Sequence, residues 1–228
     1  MSSTHLFRLF QLISPALPVG AFAYSQGMEM AVERGLITDE NSCYEWLKGL
    51  IENNLAYVDL PLCQRLFLCL EQKNSAQFDQ WNAWLMAARE TKELSLESTL
   101  MAKALMRLLS QVEEYIRQPL PEGFELSEQP LDWVSAFTLA CWQWQISLEQ
   151  AFEGLAWSWL ENQIAAAIKL IPLGQTQGQR LLLQLNEPLQ VAIVTARQCH
   201  DAELGRMSPM QVMMSSLHET QYSRLFRS

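Results

Sequence analysis

Apolar residues along this chain recur at intervals of three and four positions. The most continuous stripe lies in 147–171 and consists of Phe152, Leu155, Ala156, Trp159, Leu160, Ile164 and Ala167. Residues 74–91 and 92–115 carry similar stripes. Because side chains three and four positions apart share one face of a helix, the pattern predicts an all-α fold.

Local signals predict where helices begin and end. Asp39 or Asn41 is suited to cap a helix that runs to about Asn54. Residues 55–72 predict a separate helix, with a kink near Pro61 because proline lacks the amide hydrogen. Further helices are predicted at 130–146 and 176–198, between loops at 13–20 and 117–130. We therefore expect one globular domain, residues 1–228, of roughly eight to ten helices.

Composition narrows the classes of function. Hydrophobic residues make up 49% of the chain, and the formal net charge is −9. A negative surface disfavours DNA, RNA and anionic membranes, all of which bind basic side chains. No apolar stretch reaches the roughly 18 residues that a transmembrane helix needs. The five cysteines form no CxxC pair and the first residues lack a signal-peptide pattern, so we expect a cytoplasmic protein.

Catalytic motifs are missing from the sequence. It contains no GxxxxGK[ST], GxGxxG, HExxH or GxSxG segment, and it has only three histidines. We therefore assign no catalytic residue, no cofactor and no metal ligand. The run Cys199-His200-Asp201 holds the one cluster of ligand-type side chains, but three consecutive residues cannot easily close a tetrahedral site alone. A helical enzyme with an unrecognised site remains an alternative.

Three segments carry residues that a plain helical core does not require. In residues 21–29, a helix starting near Gly20 would place Tyr24, Gly27 and Met28 on adjoining positions. Gly27 costs about 1 kcal/mol in a helix relative to alanine, so we interpret it as a point where another backbone comes close. Glu29 lies on a face that looks solvated.

The second segment surrounds Lys169. A polar face, flattened by two alanines, lies opposite the apolar stripe of its helix and consists of Ser158, Glu161, Asn162, Ala165, Ala166 and Lys169. Pro172 and Gly174 then end the helix. The favourable position of a lysine in the last turn explains Lys169 equally well, and plain core packing remains an alternative for the segment before it.

The third segment is the end of the chain, His218 to Ser228. It contains two arginines and two aromatic residues in an otherwise acidic protein. These residue types anchor interfaces. Chain ends are usually frayed and polar. We therefore expect residues 206–228 to be a docking segment, either onto the rest of the chain or onto a partner.

The same three segments resemble the UreF family of urease accessory proteins. They read Pro18-Val-Gly-Ala-Phe-Ala-Tyr-Ser-Gln-Gly-Met-Glu29, Lys169-Leu-Ile-Pro-Leu-Gly-Gln175 and His-Glu-Thr-Gln-Tyr-Ser-Arg-Leu-Phe-Arg-Ser228. The resemblance extends to Asp59–Leu62 and Ala88–Leu94. Alanine at position 21 and the pair Cys199-His200 depart from the family pattern.

The resemblance implies a non-catalytic, dimeric protein that binds UreD (also called UreH), the GTPase UreG and apo-urease. It implies that the complex delivers nickel to urease and that this chain regulates the GTPase. It also implies partner-binding roles for Tyr24, Ser25, Gln26, Glu29, Lys169, Pro172, Gly174, Gln175, His218, Glu219, Tyr222, Ser223, Arg224, Phe226 and Arg227. A direct nickel chaperone using Cys199 and His200 is the alternative.

Overall fold

The computed structural model describes residues 3–115 and 118–228, and helices dominate both ranges. They are α1 (Ser3–Leu12), α2 (Met28–Glu33), α3 (Glu40–Leu50), α4 (Leu60–Glu71), α5 (Ser75–Ala88), α6 (Lys92–Gln111), α7 (Trp133–Gln143), α8 (Leu148–Leu170), α9 (Gln175–Gln198) and α10 (Pro209–His218). Short 3-10 turns occur at Ala21–Ala23, Glu113–Tyr115 and Asp201–Glu203. Neither range contains a strand, so the predicted all-α fold is confirmed.

Capping side chains fix several helix starts. Asp39 caps α3, where its carboxylate accepts a hydrogen bond from the Ser42 amide at 2.8 Å. Thr91, Asp132 and Ser147 cap α6, α7 and α8 in the same way. Each cap satisfies an amide that the first helical turn leaves unpaired. The predicted cap at Asp39 is confirmed.

Helices α3 and α4 are joined by a π-helix, Ile51–Asp59. The predicted break near Asn54 is therefore wrong, because the chain stays helical and only widens its turns. Pro61 lies in the first turn of α4 and cannot donate to the carbonyl of Tyr57. That carbonyl instead accepts the amide of Gly205 at 3.1 Å. The wide turns carry Asn54 and Asp59 into the interior, where both are buried.

The core is centred on α4, α7 and α8. Residues Val134–Cys141 of α7 are all buried, as are most apolar residues of the other two helices. α1 packs on α8 at Gly154, where an added Cβ would lie 2.6 Å from Leu9 Cδ1. In the described part of the chain, we find no helix that combines the length and apolarity required to cross a membrane.

The stretch before α2 differs from the sequence-based expectation. A continuous helix from Gly20 is wrong, because Gly20 and Gly27 both have positive φ, at 80° and 84°. Residues in this left-handed conformation interrupt the helix. Glycine adopts the conformation easily because it has no side chain to clash with the backbone. Residues 24–27 thus form a turn that enters α2. The turn exposes backbone groups for contacts with other segments.

Candidate functional site

The end of the chain folds back onto the turn before α2. The amide of Arg227 donates to the carbonyl of Ala23 at 2.8 Å, and the amide of Ser25 donates to the carbonyl of Ser228 at 2.8 Å. The side chains of Phe226 and Ser228 are buried. Residues 219–228, called the tail below, therefore dock internally, as one of the two sequence-based interpretations predicts.

Glu29 is the anchor of the docked tail. Its two carboxylate oxygens accept the amides of Leu225 at 2.7 Å and Phe226 at 2.8 Å. The residue is only 8% exposed. The prediction that Glu29 lies on a solvated face is wrong, because the tail returns over α2 and covers it. Sequence spacing within α2 carries no information about that covering segment.

A second carboxylate completes an ionic group around His218. The second carboxylate belongs to Glu93 of α6. His218 Nδ1 lies 2.7 Å from Glu93, and His218 Nε2 lies 3.3 Å from Glu29. Arg224 of the tail donates to the other oxygen of Glu93 at 2.6 Å. The ring of His218 is fully buried. We call Glu29, Glu93, His218 and Arg224 the tail cluster.

One helical turn further along α6, Glu97 connects the tail to α8. Ser228 Oγ and Gln26 Nε2 each donate to it at 2.7 Å. Gln26 in turn accepts the indole N–H of Trp159 at 2.9 Å. Burial raises the pKa of Glu97 to about 7, although the two hydrogen bonds act in the opposite direction. The carboxyl group therefore changes charge near neutral pH.

α10 can approach α2 because residue 27 is glycine. A Cβ at Gly27 would lie 2.8 Å from the backbone nitrogen of Ser215 and 3.2 Å from the carbonyl oxygen of Gln211. Both atoms belong to the backbone of α10. The prediction that Gly27 admits another backbone is confirmed, and the approach places His218 beside Glu29.

Lys169 meets the tail from the opposite side. Its ammonium group lies 5.5 Å from the ring centroid of Phe226, and its side chain is exposed. On the same helix, the side-chain amide of Asn162 donates to the carbonyl of Tyr24 at 3.4 Å. The polar face of α8 is thus partly covered by the turn before α2. Of the two alanines assigned to that face, Ala165 is exposed and Ala166 is buried.

The sequence-predicted residues divide into a buried set and an exposed set. Those buried are Tyr24, Ser25, Glu29, His218 and Phe226. Gln26 is half-buried. Those exposed are Lys169, Pro172, Gly174, Gln175, Glu219, Tyr222, Ser223, Arg224 and Arg227. The buried set holds the tail in place, and only the exposed set offers side chains to another molecule.

A second ionic group lies deeper in the protein, around Arg89. Its guanidinium donates to Asp59 at 2.8 Å and to Asp132 at 2.8 and 3.0 Å, and Ser98 Oγ donates to Asp132 at 2.6 Å. Burial alone would lower the pKa of Arg89, but the two carboxylates outweigh it and raise that pKa. We call Asp59, Arg89, Ser98 and Asp132 the Arg89 cluster.

A cavity of about 250 Å³ lies beside the Arg89 cluster. Its lining includes Asp59 and Arg89 together with Gln26, Glu97 and Trp159. Sequence reasoning assigned no role to Glu93, Glu97, Arg89 or Asp132. A usable signal existed for two of them, since Glu93 and Glu97 are spaced by four residues beside the apolar stripe of α6, whereas Arg89 precedes that helix.

The Cys199-His200-Asp201 run does not form a compact ligand set. Cys199 is buried, and burial raises the pKa of its thiol. Asp201 pairs with Arg65, whose guanidinium also donates to the carbonyl of Cys199 at 3.0 Å. Among residues 3–115 and 118–228, no three His, Cys, Asp or Glu side chains group as metal ligands would.

Comparison with known proteins identifies similar chains over the full length. The family model described as UreF matches residues 37–186. The urease accessory protein UreF from Alkalilimnicola ehrlichii is 45% identical to this chain, and the match covers 97% of this chain and 95% of that protein. The protein of the same name from Pseudoalteromonas translucida is 44% identical, and the match covers 100% of this chain and 96% of that protein. The protein of the same name from Hahella chejuensis is 44% identical, with 98% of both chains covered.

Proposed function

We propose, from the premise that this chain belongs to the UreF family of urease accessory proteins, that it is a non-catalytic scaffold for nickel insertion into apo-urease. Family membership carries a general role in urease maturation. The finer proposal is that the chain binds UreD (UreH) and the GTPase UreG in the cytoplasm, and that it regulates the GTPase.

The observation that carries the proposal is the convergence of three distant segments on one surface. Glu29 of α2 holds the backbone of the tail, and Lys169 of α8 lies over Phe226 of the same tail. Plain core packing would not require the last residues of a chain to be fixed by a buried carboxylate. A surface whose shape must be maintained for a partner would require it.

The exposed residues of this surface suit a protein partner. Tyr222 and Leu225 are 106% and 65% exposed, and Met213 of α10 is 56% exposed. Arg227 adds positive charge beside these apolar groups in a chain of net charge −9, whereas the guanidinium of Arg224 is paired with Glu93. Aromatic, methionine and arginine side chains are enriched at protein interfaces, so we assign this face to UreD.

We assign Lys169 and the exposed residues that follow it, Pro172, Gly174 and Gln175, to the GTPase side. Glu29 acts there indirectly, by holding the surface in shape. A symmetric homodimer completes the proposal, and the exposed Phe7 and Phe10 of α1 offer apolar area for it. Light scattering at micromolar concentration that finds only monomer would remove the dimer from the proposal.

The decisive experiment is reconstitution of urease activation from purified apo-urease, UreD, UreG, nickel and this chain. Lys169→Ala is expected to leave the melting temperature unchanged while altering GTP turnover or the nickel content of urease. Lys103→Ala, on the exposed side of α6, is the matched control. Equal activation by Lys169→Ala and wild type would remove Lys169 from the site.

Removal of the last eleven residues tests the docking segment. We expect loss of UreD capture with nearly unchanged helicity, because the deletion removes His218 and the tail but leaves most of α10. Normal capture and normal activation would refute the assignment. A large loss of helical signal would mean that the segment belongs to the core instead.

The direct nickel chaperone is the second candidate. Cys199 and His200 remain its proposed ligands, although the buried thiol and the pairing of Asp201 with Arg65 do not favour it. Stoichiometric nickel binding that is lost on changing both residues would support this candidate over the scaffold.

A further inference from the structure

Exposed leucine and basic side chains follow one another along a single face of α6. They are Lys92, Leu96, Leu100, Lys103 and Arg107, and we call them the basic face of α6. A helix turns by about 100° per residue, so these positions fall within a sector of about 80° and span about 22 Å along the axis. The two leucines are 53% and 39% exposed and lie between the cations. The face therefore combines a short apolar centre with positive charge at both ends.

Neither helix stability nor ion pairing accounts for the positive charges of this face. Lys92 lies in the first turn of α6, where the helix dipole disfavours a cation, and no basic residue lies in the last turn, where the dipole favours one. Of the ion pairs formed within residues 3–115 and 118–228, none includes Lys92, Lys103 or Arg107. The carboxylate of Glu219 accepts the backbone amide of Lys92 rather than its ammonium group. The three charges are therefore available to another molecule.

The acidic residues of α6 do not neutralise the basic face. The helix has two of them, Glu93 and Glu97. Glu93 pairs with Arg224, and Glu97 accepts hydrogen bonds from Gln26 and Ser228. Each carboxylate is thus held on the side of α6 that faces the tail. In a chain of net charge −9, α6 therefore carries a local positive strip.

We propose that the basic face of α6 binds an acidic amphipathic helix of a partner protein. Leu96 and Leu100 are about one turn apart, which suits the apolar residues of a helix laid along them. Lys92 at one end, and Lys103 with Arg107 at the other, suit carboxylates that flank this apolar centre. The partner helix is therefore expected to carry its apolar residues between acidic residues, over about four turns.

A helix fits this face better than an extended polyanion does. A membrane or a nucleic acid would extend beyond α6 to the rest of a chain whose net charge is −9, and that charge repels phosphates. A helix of about four turns contacts only the basic face. The proposal uses no residue assigned to UreD or to the GTPase, so it stands independently of the proposed function.

A labelled synthetic peptide of about 16 residues tests the proposal, with leucines at its centre and glutamates at both ends. Fluorescence anisotropy with the full chain is expected to show saturable binding in the micromolar range, because a single helix buries a small interface. Lys92→Glu, Lys103→Glu and Arg107→Glu together should weaken binding at least about tenfold. Leu96→Ser with Leu100→Ser should weaken it about tenfold, since the apolar contact is lost.

The matched control is the combination Arg34→Glu, Lys73→Glu and Arg197→Glu. These three cations are exposed and belong to no ion pair within residues 3–115 and 118–228, so the variant has the same change in net charge. It should bind the peptide within about twofold of wild type, because salt screens distant charges. Loss of one cation from the basic face changes affinity little, so Lys103→Ala remains a neutral control for Lys169.

Circular dichroism checks that each variant is folded. If the glutamate variant loses helicity, Lys92→Gln, Lys103→Gln and Arg107→Gln together take its place, with an expected loss of affinity of about threefold. Equal binding by wild type and the folded charge variant would overturn the proposal, as would equal binding of a scrambled peptide of the same composition. Tighter binding to phosphatidylglycerol vesicles or to duplex DNA than to the peptide would overturn it too.

Discussion

The Arg89 cluster and the tail cluster both bury charged side chains. They differ in how the chain supports them. Asp59, Arg89 and Asp132 lie at the ends of helices or of the π-helix, with ordered chain on both sides. In the tail cluster, Arg224 and the amides that bind Glu29 belong to residues 219–228, which follow α10 and contain no helix.

The difference teaches that similar ionic chemistry serves two purposes. Breaking the Arg89 cluster leaves buried carboxylates unpaired inside the core, so the cost falls on the whole fold. Breaking the tail cluster removes contacts of a non-helical surface segment only, which is a local opening of lower free energy. The first arrangement stabilises the domain, and the second holds the tail against α2 and α6.

Arg89→Met should produce the largest loss of stability. It leaves Asp59 and Asp132 without their cation, and removal of one partner from a buried pair costs about 3–5 kcal/mol. Thermal unfolding monitored by circular dichroism measures the effect. Arg107→Met, on the exposed face of α6, is the matched control and should change little. Equal stability of the two variants would contradict the distinction between the clusters.

Gly27→Ala should produce the next largest loss of stability, about 2–3 kcal/mol. The new Cβ would meet the backbone of α10 at 2.8 Å, and the residue would keep a positive φ. Gly35→Ala separates the two causes, because Gly35 also has positive φ but has open space at its Cβ position. Faster tryptic cleavage of the tail is expected in Gly27→Ala alone. If both variants lose the same stability and show the same rate of tail cleavage, the close contact of Gly27 with α10 does not contribute to stability.

Glu97→Gln should reduce the loss of unfolding free energy that occurs as the pH rises, by about 2 kcal/mol. The native pKa of about 7 exceeds the usual value for glutamate, so the native state binds the proton more tightly than the unfolded state does. The contribution of Glu97 to the free energy of unfolding is therefore complete at about pH 4 and is lost as the pH rises through about 7. Glutamine does not titrate; its amide oxygen can accept from Gln26, and its amide nitrogen can donate to Ser228 Oγ in place of the present bond.

The measurement for Glu97→Gln is urea unfolding at about pH 5 and about pH 8. The variant should equal wild type at the lower pH and exceed it at the higher pH, because only the wild-type side chain becomes charged. A variant that is less stable at both pH values would show that glutamine cannot replace the contacts of Glu97 with Ser228 and Gln26.

Lys169→Ala should have the smallest effect on stability, less than about 0.5 kcal/mol, because its contact with Phe226 is exposed. Phe226→Ala is the informative comparison, since it removes a buried ring from the same contact and should cost more. Thermal unfolding of both variants checks this order. A large loss for Lys169→Ala would make the residue part of the fold rather than of the exposed surface.

Several features followed from the sequence because their causes are local. The stripe in 147–171 predicted α8, and the position of Asp39 predicted the cap of α3, since a helix face and an N-cap depend on residues within one or two turns. The absence of a side chain at Gly27 predicted a close backbone approach. The composition of the chain end predicted docking, and the family resemblance was carried by motifs that can be read directly.

Tertiary structure decided what surrounds those residues. Glu29 looked solvated because the residues that cover it, Leu225 and Phe226, lie about two hundred positions away in the chain. The pairing of His218 with Glu93, and the joining of α3 to α4 through wide π turns, likewise depend on distant segments. Side-chain periodicity fixes which face of a helix is apolar, but burial of a charge depends on how the whole chain packs, and only the folded structure supplies that.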